Sequence, residues 1–405
     1  MMEQQRLTDF QKLMRSWKQL APYNAAHVLR VSGPPDTARW EEAFGRLLRQ
    51  LGIGRQLNVE SSDLDFDRTI TRELNRPFES SELPLRVIAT STASDHFLTL
   101  TYDHWFADSP SMRALLQRAF NYYGARASDL PPLEVAPGLH SDSTSGAILG
   151  GIRTYQRHRR AARIHLRDPL DFETGFFSRQ FPVGVIDPIR SNARKRGAKV
   201  NDVFLAAAAQ VLGQTTAAQR ASSRRNEVAI ASAVDLRDSA AHGTFGFDVT
   251  YFSVVLANPE KTSFENLVQL VAQQTGAMKK EEEIARFNLS LKCARIAYDL
   301  TSKPKRRAEL FRKVLPLVSG ISNVNLSGTW VEDATRHSEG PRLLDYLRVS
   351  PVGPLLPLVF TLTTIVDRLS LCVSYRSTAF AGHAAAKLTD DFMAKLIAFA
   401  ETWRP

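Results

Sequence analysis

Apolar positions recur along this chain in two rhythms, one of three and four residues that marks helices and one of two that marks strands. In the first third they predict a helix over 7–20, a strand over 26–31 and a helix over 37–51. Phe97-Leu98-Thr99-Leu100-Thr101-Tyr102, rich in β-branched and aromatic residues, predicts another strand. A helix follows directly: Ser109 suits its cap and Pro110 its first position, with Met112, Leu115, Leu116, Ala119 and Tyr123 on one face. From Leu130 to Pro182 the rhythm fades, and prolines, serines and glycines gather in Asp129-Leu130-Pro131-Pro132 and in 141–146. The rhythm returns as a helix over 201–213, a strand over 227–234, a hairpin of 357–366 and 369–375 around an Asp367-Arg368 turn, and a helix over 384–403. The reading is an α/β (α+β) chain with an N-terminal lobe over 1–135, a connection over 136–182 and a C-terminal lobe over 183–405.

Composition narrows the class. The 405 residues, 43% hydrophobic and 23% charged, are enough for a large core or two lobes. Met1 to Arg6 lead into Leu7 with no apolar signal region, and the apolar stretch 352–366 is broken by Gly353, Pro354 and Pro357, so a cytoplasmic protein without a membrane span is expected. Two cysteines, Cys293 and Cys372, exclude a disulfide framework or a cysteine-rich zinc site, and His27, His242, His337 and His383 lack metal-ligand spacing. No metal and no bound cofactor are expected. The net charge of +10 favours acidic partners, yet no zinc finger, basic zipper or RNA-binding aromatic signature is present, so nucleic acid is set aside.

Asp103-His104-Trp105-Phe106-Ala107-Asp108-Ser109 carries the candidate chemistry, because it puts an imidazole on the loop between a strand and a helix. A neutral imidazole accepts a proton near neutral pH, which suits general-base work. The spacing alone favours a structural histidine. The basic run from Arg157 through Arg159, Arg160 and Arg163 is either a docking surface for acidic groups or a solvated helix face.

The stretch around His104 resembles the HHxxxDG signature of the condensation-domain superfamily, which includes nonribosomal-peptide condensation domains, chloramphenicol acetyltransferase, wax ester synthases and phthiocerol-type acyltransferases. Four further segments, in the family's order, resemble it: Arg76-Pro77-Phe78 with Pro84-Leu85-Arg86, Gly197-Ala198-Lys199-Val200-Asn201-Asp202, Asp235-Leu236-Arg237, and Ser322-Asn323. The absence of a DFGWG segment sets the plant BAHD branch of that superfamily aside. Two positions depart from the signature, Asp103 at the first histidine and Ser109 at the glycine.

The resemblance implies two chloramphenicol acetyltransferase-like lobes in a pseudo-dimeric V, an active-site tunnel between them, and a late strand crossing to the first lobe. It implies an acyltransferase of natural-product or lipid biosynthesis, carrying an acyl group from coenzyme A or from the phosphopantetheine thioester of an acyl or peptidyl carrier protein to a hydroxyl or amine. His104 would be catalytic, with Asp108 a structural aspartate and Arg237 its candidate partner. Ser109, Ser322 and Asn323 are candidate oxyanion or tunnel residues, and Arg157, Arg159, Arg160 and Arg163 candidates for docking the donor or carrier. A monomer is expected. The alternative, prompted by Asp103 and Ser109, is a degenerate condensation-like protein that binds a carrier-borne intermediate or partner enzyme without turnover.

Overall fold

The computed structural model of the chain describes residues 7–125, 132–135, 147–221, 224–237, 244–278, 281–326, 331, 334–335 and 340–402. The segments 1–6, 129–131 and 141–146, with His242 and His337, lie outside the described residues. In chain order the elements are α1 (Asp9–Trp17), β1 (Asn24–Ser32), α2 (Thr37–Gln50), β2 (Val59–Ser62), α3 (Phe66–Asn75), β3 (Leu85–Ser91), β4 (Asp95–Asp103) and α4 (Ser109–Tyr123). Then come α5 (Ala147–His158), β5 (Thr174–Gln180), α6 (Ile186–Lys195), α7 (Val200–Ala221), β6 (Glu227–Asp235), β7 (Val249–Ala257), α8 (Phe264–Met278), α9 (Glu281–Asp299) and α10 (Pro304–Val314). The chain closes with β8 (Ser319–Leu326), β9 (Leu343–Val349), β10 (Leu358–Ile365), β11 (Arg368–Arg376) and α11 (Gly382–Glu401).

Two compact units divide these elements. The first takes residues 1–140, 235–249 and 325–351, and the second takes 141–234, 250–324 and 352–405. Residues 147–158 and 174–180, in the stretch expected as a connection, form α5 and β5 of the second unit.

The first unit is a five-stranded sheet in the order β2-β3-β4-β1-β9, antiparallel except for β2 with β3. β9 comes late in the chain and pairs with β1. Its helices start where short polar side chains can bond the free amides of the first turn. Thr8 and Gln11 form a reciprocal capping box on α1, Asp36 bonds the Arg39 amide at 3.0 Å on α2, and Asp65 bonds that of Arg68 at 2.9 Å on α3. α2 and α4 meet through Trp40 and Tyr123, whose rings stack with centroids 3.9 Å apart.

α4 corrects the sequence reading. Its cap is Asp108, which accepts from the Ser111 amide at 3.0 Å, so Ser109 is already inside the first turn. A carboxylate one residue earlier reaches the amide three positions on, and the chain turns helical one residue sooner.

The second unit is a six-stranded sheet in the order β5-β11-β10-β8-β6-β7. α7 is its central helix, and Val203 through Ala209 are fully buried, which is a helix enclosed on every side rather than one with a single apolar face. Gly197 precedes it with φ of +66°, a left-handed position that suits glycine after α6 ends. α11 lies on the sheet through Phe392, stacked on Phe360 of β10 at 4.6 Å. The hairpin turn also departs from expectation: Arg368 pairs with Ile365 in the ladder, leaving Val366 and Asp367 as the turn, with Val366 exposed at φ of +56°. Among the described residues no helix is long and apolar enough to cross a membrane.

Candidate active site

His104 follows the last residue of β4, in the first unit. Its amide donates to the Tyr23 carbonyl at 3.0 Å, which ties the loop to the start of β1. The ring is boxed by aromatics: Tyr23 stacks on it at 5.8 Å, Tyr102 meets it edge-on at 5.7 Å, and Phe247 tilts against it at 6.0 Å. Nδ1 lies 3.3 Å from the Ala107 carbonyl oxygen. A carbonyl can only accept, so Nδ1 carries the proton and Nε2 presents its lone pair. Nε2 is buried with no hydrogen-bond partner among the described residues. Burial, and then the charge of Arg348, push the His104 pKa down to about 3. The ring is therefore a neutral base at physiological pH.

Asp108 is built differently. Its Oδ1 accepts from the Ser111 amide at 3.0 Å and the Ser111 hydroxyl at 2.7 Å, and its Oδ2 from the Asp248 amide at 2.7 Å. Arg237 completes the set, with Nη2 at 2.8 Å from Oδ2 and 3.0 Å from Oδ1. Arg237 also reaches Asp235 at 3.0 Å and the Ser111 hydroxyl at 2.9 Å. Burial disfavours its charge, but Asp108, Asp235 and Asp248 outweigh that and raise its pKa. Asp108 makes no hydrogen bond to the His104 ring; it caps α4 and ties Arg237 and Asp248 to the loop.

Beside His104, Asp103 stood in the sequence only as a departure from the signature, and Lys18 carried no signal. Asp103 is 1% exposed, and its Oδ2 accepts from the Trp105 indole at 2.8 Å and from Lys18 at 2.9 Å. Burial pushes its pKa up, against the pull of Lys18. A cavity of about 1160 Å³ in this unit is lined by Asp103, Lys18, Trp105, Phe106 and Phe247, among others. Pro77 and Phe78 line the same cavity, and Arg86 holds that segment, donating to the carbonyls of Arg76 and Pro77 at 2.8 and 3.0 Å and pairing with buried Glu73 at 2.9 Å.

The remaining expected residues scatter. Ser109 is buried in the first turn of α4, its hydroxyl without a hydrogen-bond partner among the described residues. Ser322, buried, and Asn323, exposed, are on β8 in the second unit. The basic run does not stay helical, because α5 ends at His158. Arg157 turns its guanidinium to the Ser253 carbonyl and the Gln274 amide oxygen, at 2.9 and 3.0 Å, and Arg163 donates to the Lys313 carbonyl at 2.8 Å. Arg159 and Arg160 are exposed. His27 is buried against the Tyr346 hydroxyl and His383 is exposed. Among the described residues no group of His, Cys, Asp and Glu is placed to hold a metal ion.

No family model and no curated protein matches the sequence. Solved structures do match. The condensation domain of the monacolin K polyketide synthase MokA is 13% identical with a TM-score of 0.70, over 98% of this chain and 97% of its own. SgcC5 from Streptomyces globisporus, in complex with (R)-(-)-1-(2-naphthyl)-1,2-ethanediol and sucrose, is 13% identical with a TM-score of 0.65, over 98% of each chain. The X-domain of teicoplanin biosynthesis, in complex with OxyB, is 17% identical with a TM-score of 0.59, over 98% of this chain and 93% of its own. The fold is the condensation-domain, chloramphenicol acetyltransferase-like α/β fold that the motifs led us to expect.

Proposed function

We propose that this condensation-like chain is an acyltransferase, moving an acyl group from a coenzyme A or carrier-protein thioester to a hydroxyl or amine in natural-product or lipid assembly. The observation that carries the reading is His104: a buried, neutral imidazole with Nδ1–H on the Ala107 carbonyl and Nε2 bare. Nε2 removes the acceptor's proton as the oxygen or nitrogen attacks the thioester carbonyl. The tetrahedral intermediate then expels the thiolate, which takes the proton back from His104. General-base assistance of this kind contributes roughly 10²–10⁴ in rate. The buried Ser109 hydroxyl is a candidate donor to the oxyanion. Arg159 and Arg160 are the exposed members of the basic run left to meet an acidic donor.

The test is product mass spectrometry after incubating the protein with a panel of acyl thioesters and with alcohols and amines, an aryl diol among them. The expected result is an ester or amide, no acyl mass on the intact protein, and a rate indifferent to chelators. An acyl adduct that the acceptor discharges would overturn direct transfer.

The second reading, binding without turnover, draws on the X-domain found in complex with OxyB. No product from any pair in the panel, together with retained binding of a carrier-borne thioester, would favour it.

A further inference from the structure

The proposed base is closed in. His104 Nε2 is buried, so no substrate can bring it a proton until a neighbouring group moves. Three rings box the imidazole, those of Tyr23, Tyr102 and Phe247. Of these only Phe247 also lines the cavity of about 1160 Å³ in the first unit, and His104 itself does not line it. Phe247 therefore touches the cavity with one part of its surface and the imidazole with another.

The three rings differ in their freedom to move. Tyr102 is fully buried on β4, with its hydroxyl 3.5 Å from His27 Nε2. Tyr23 is buried against both His104 and Trp17, whose ring meets it edge-on at 4.9 Å. Phe247 has the cavity beside it and one further ring contact, edge-on to Phe10 at 5.7 Å. Its backbone, in contrast, is held on both sides. The Gly246 amide donates to the Ser111 hydroxyl oxygen at 3.0 Å, the Gly246 carbonyl accepts from the Asp108 amide at 3.1 Å, and the Asp248 amide donates to Asp108 Oδ2 at 2.7 Å. Rotation of the Phe247 side chain is the motion left, and the cavity gives it room.

We infer that Phe247 governs passage between the cavity and His104, closing it in this structure and opening it by turning its ring aside. A substrate in the cavity reaches the imidazole only past this side chain, whose bulk limits what passes. Phe247 is thus an access-determining residue, not a catalytic one. That the passage serves a reaction rests on the acyltransferase reading; that Phe247 shields the imidazole does not.

The test is diethyl pyrocarbonate on the full chain at pH 7, without substrates. The bare nitrogen of a neutral imidazole attacks one carbonyl of the reagent and expels ethyl carbonate, the ring's other proton leaving to water, and peptide mass spectrometry reads the rate at each histidine. Exposed His383 gives the open rate, while His27 and His96, both fully buried, report any loosening of the fold. In the wild type His104 should react far more slowly than His383. In Phe247→Ala it should react at least about tenfold faster than in the wild type, with His27 and His96 still protected. Phe247→Tyr should keep the wild-type rate. Wild-type His104 reacting as fast as His383, or an unchanged His104 rate in Phe247→Ala, would overturn the inference. If Phe247→Ala also exposes His27 and His96, its fold is lost, and Phe247→Leu is read by the same two criteria. Because no turnover is measured, a shielded His104 in a chain that makes no product would sink the acyltransferase reading alone. Turnover through a His104 that Phe247 does not shield would sink this inference alone.

Discussion

His104 and Asp108 stand four residues apart on one loop, each almost wholly buried, yet the fold treats them in opposite ways. Asp108 is surrounded by donors from Ser111, Asp248 and Arg237. His104 has one long bond to a carbonyl, three aromatic neighbours and an unpartnered Nε2. A buried carboxylate has to be paired to stay charged, whereas a base has to keep its lone pair unspent. The difference teaches that the spacing is not a relay: the aspartate's oxygens are used up in holding the loop, and the imidazole is held by its backbone and its neighbours.

The strongest blow to this contrast falls on the aspartate's side. Arg237→Ala leaves Asp108 buried without its cation and should cost about 3–5 kcal/mol in urea unfolding. A loss under about 1 kcal/mol would mean the pair is not what holds the loop.

The histidine's side is tested by acid. An unfolded histidine takes a proton near pH 6.5, while folded His104 resists it down to about pH 3. The unfolded state therefore binds more protons over that window, so His104's contribution to stability is complete above pH 6.5 and drains away as pH falls toward 3. His158, in the second unit, adds the same trend between 6.5 and about 4. Between pH 5.5 and 4.5 the wild-type protein should lose about 1.4 kcal/mol more than His104→Gln does. Parallel slopes would show that folded His104 is protonated in that range. Smallest should be Ser111→Ala, which removes one of several donors to Asp108 and should cost about 1 kcal/mol in thermal unfolding.

Much of this was legible in the chain because the signals were local. The helix over 37–51 formed over 37–50, the strand over 26–31 formed over 24–32, and that over 227–234 reached 235, since apolar spacing reports each element directly. Caps and turns were less legible: whether Asp108 or Ser109 caps α4, and whether Val366 or Arg368 turns the hairpin, depends on one-residue geometry that no period encodes. In the site, His104, Asp108 and Arg237 stand in motif segments, but Tyr23, Lys18 and Phe247 come from segments remote in sequence and carry no motif. Arg157 and Arg163 show the same limit. A run of arginines looks like a surface, and only the fold reveals that two of the four bond carbonyls of their own unit.

The central claim is that His104 does the chemistry while Asp108 does the holding. Its most direct test is to measure turnover and melting temperature together on His104→Ala. The account predicts a rate lower by at least about 100-fold in a protein that still unfolds in one cooperative transition at pH 7. A folded His104→Ala protein that makes product at a near-normal rate would contradict it.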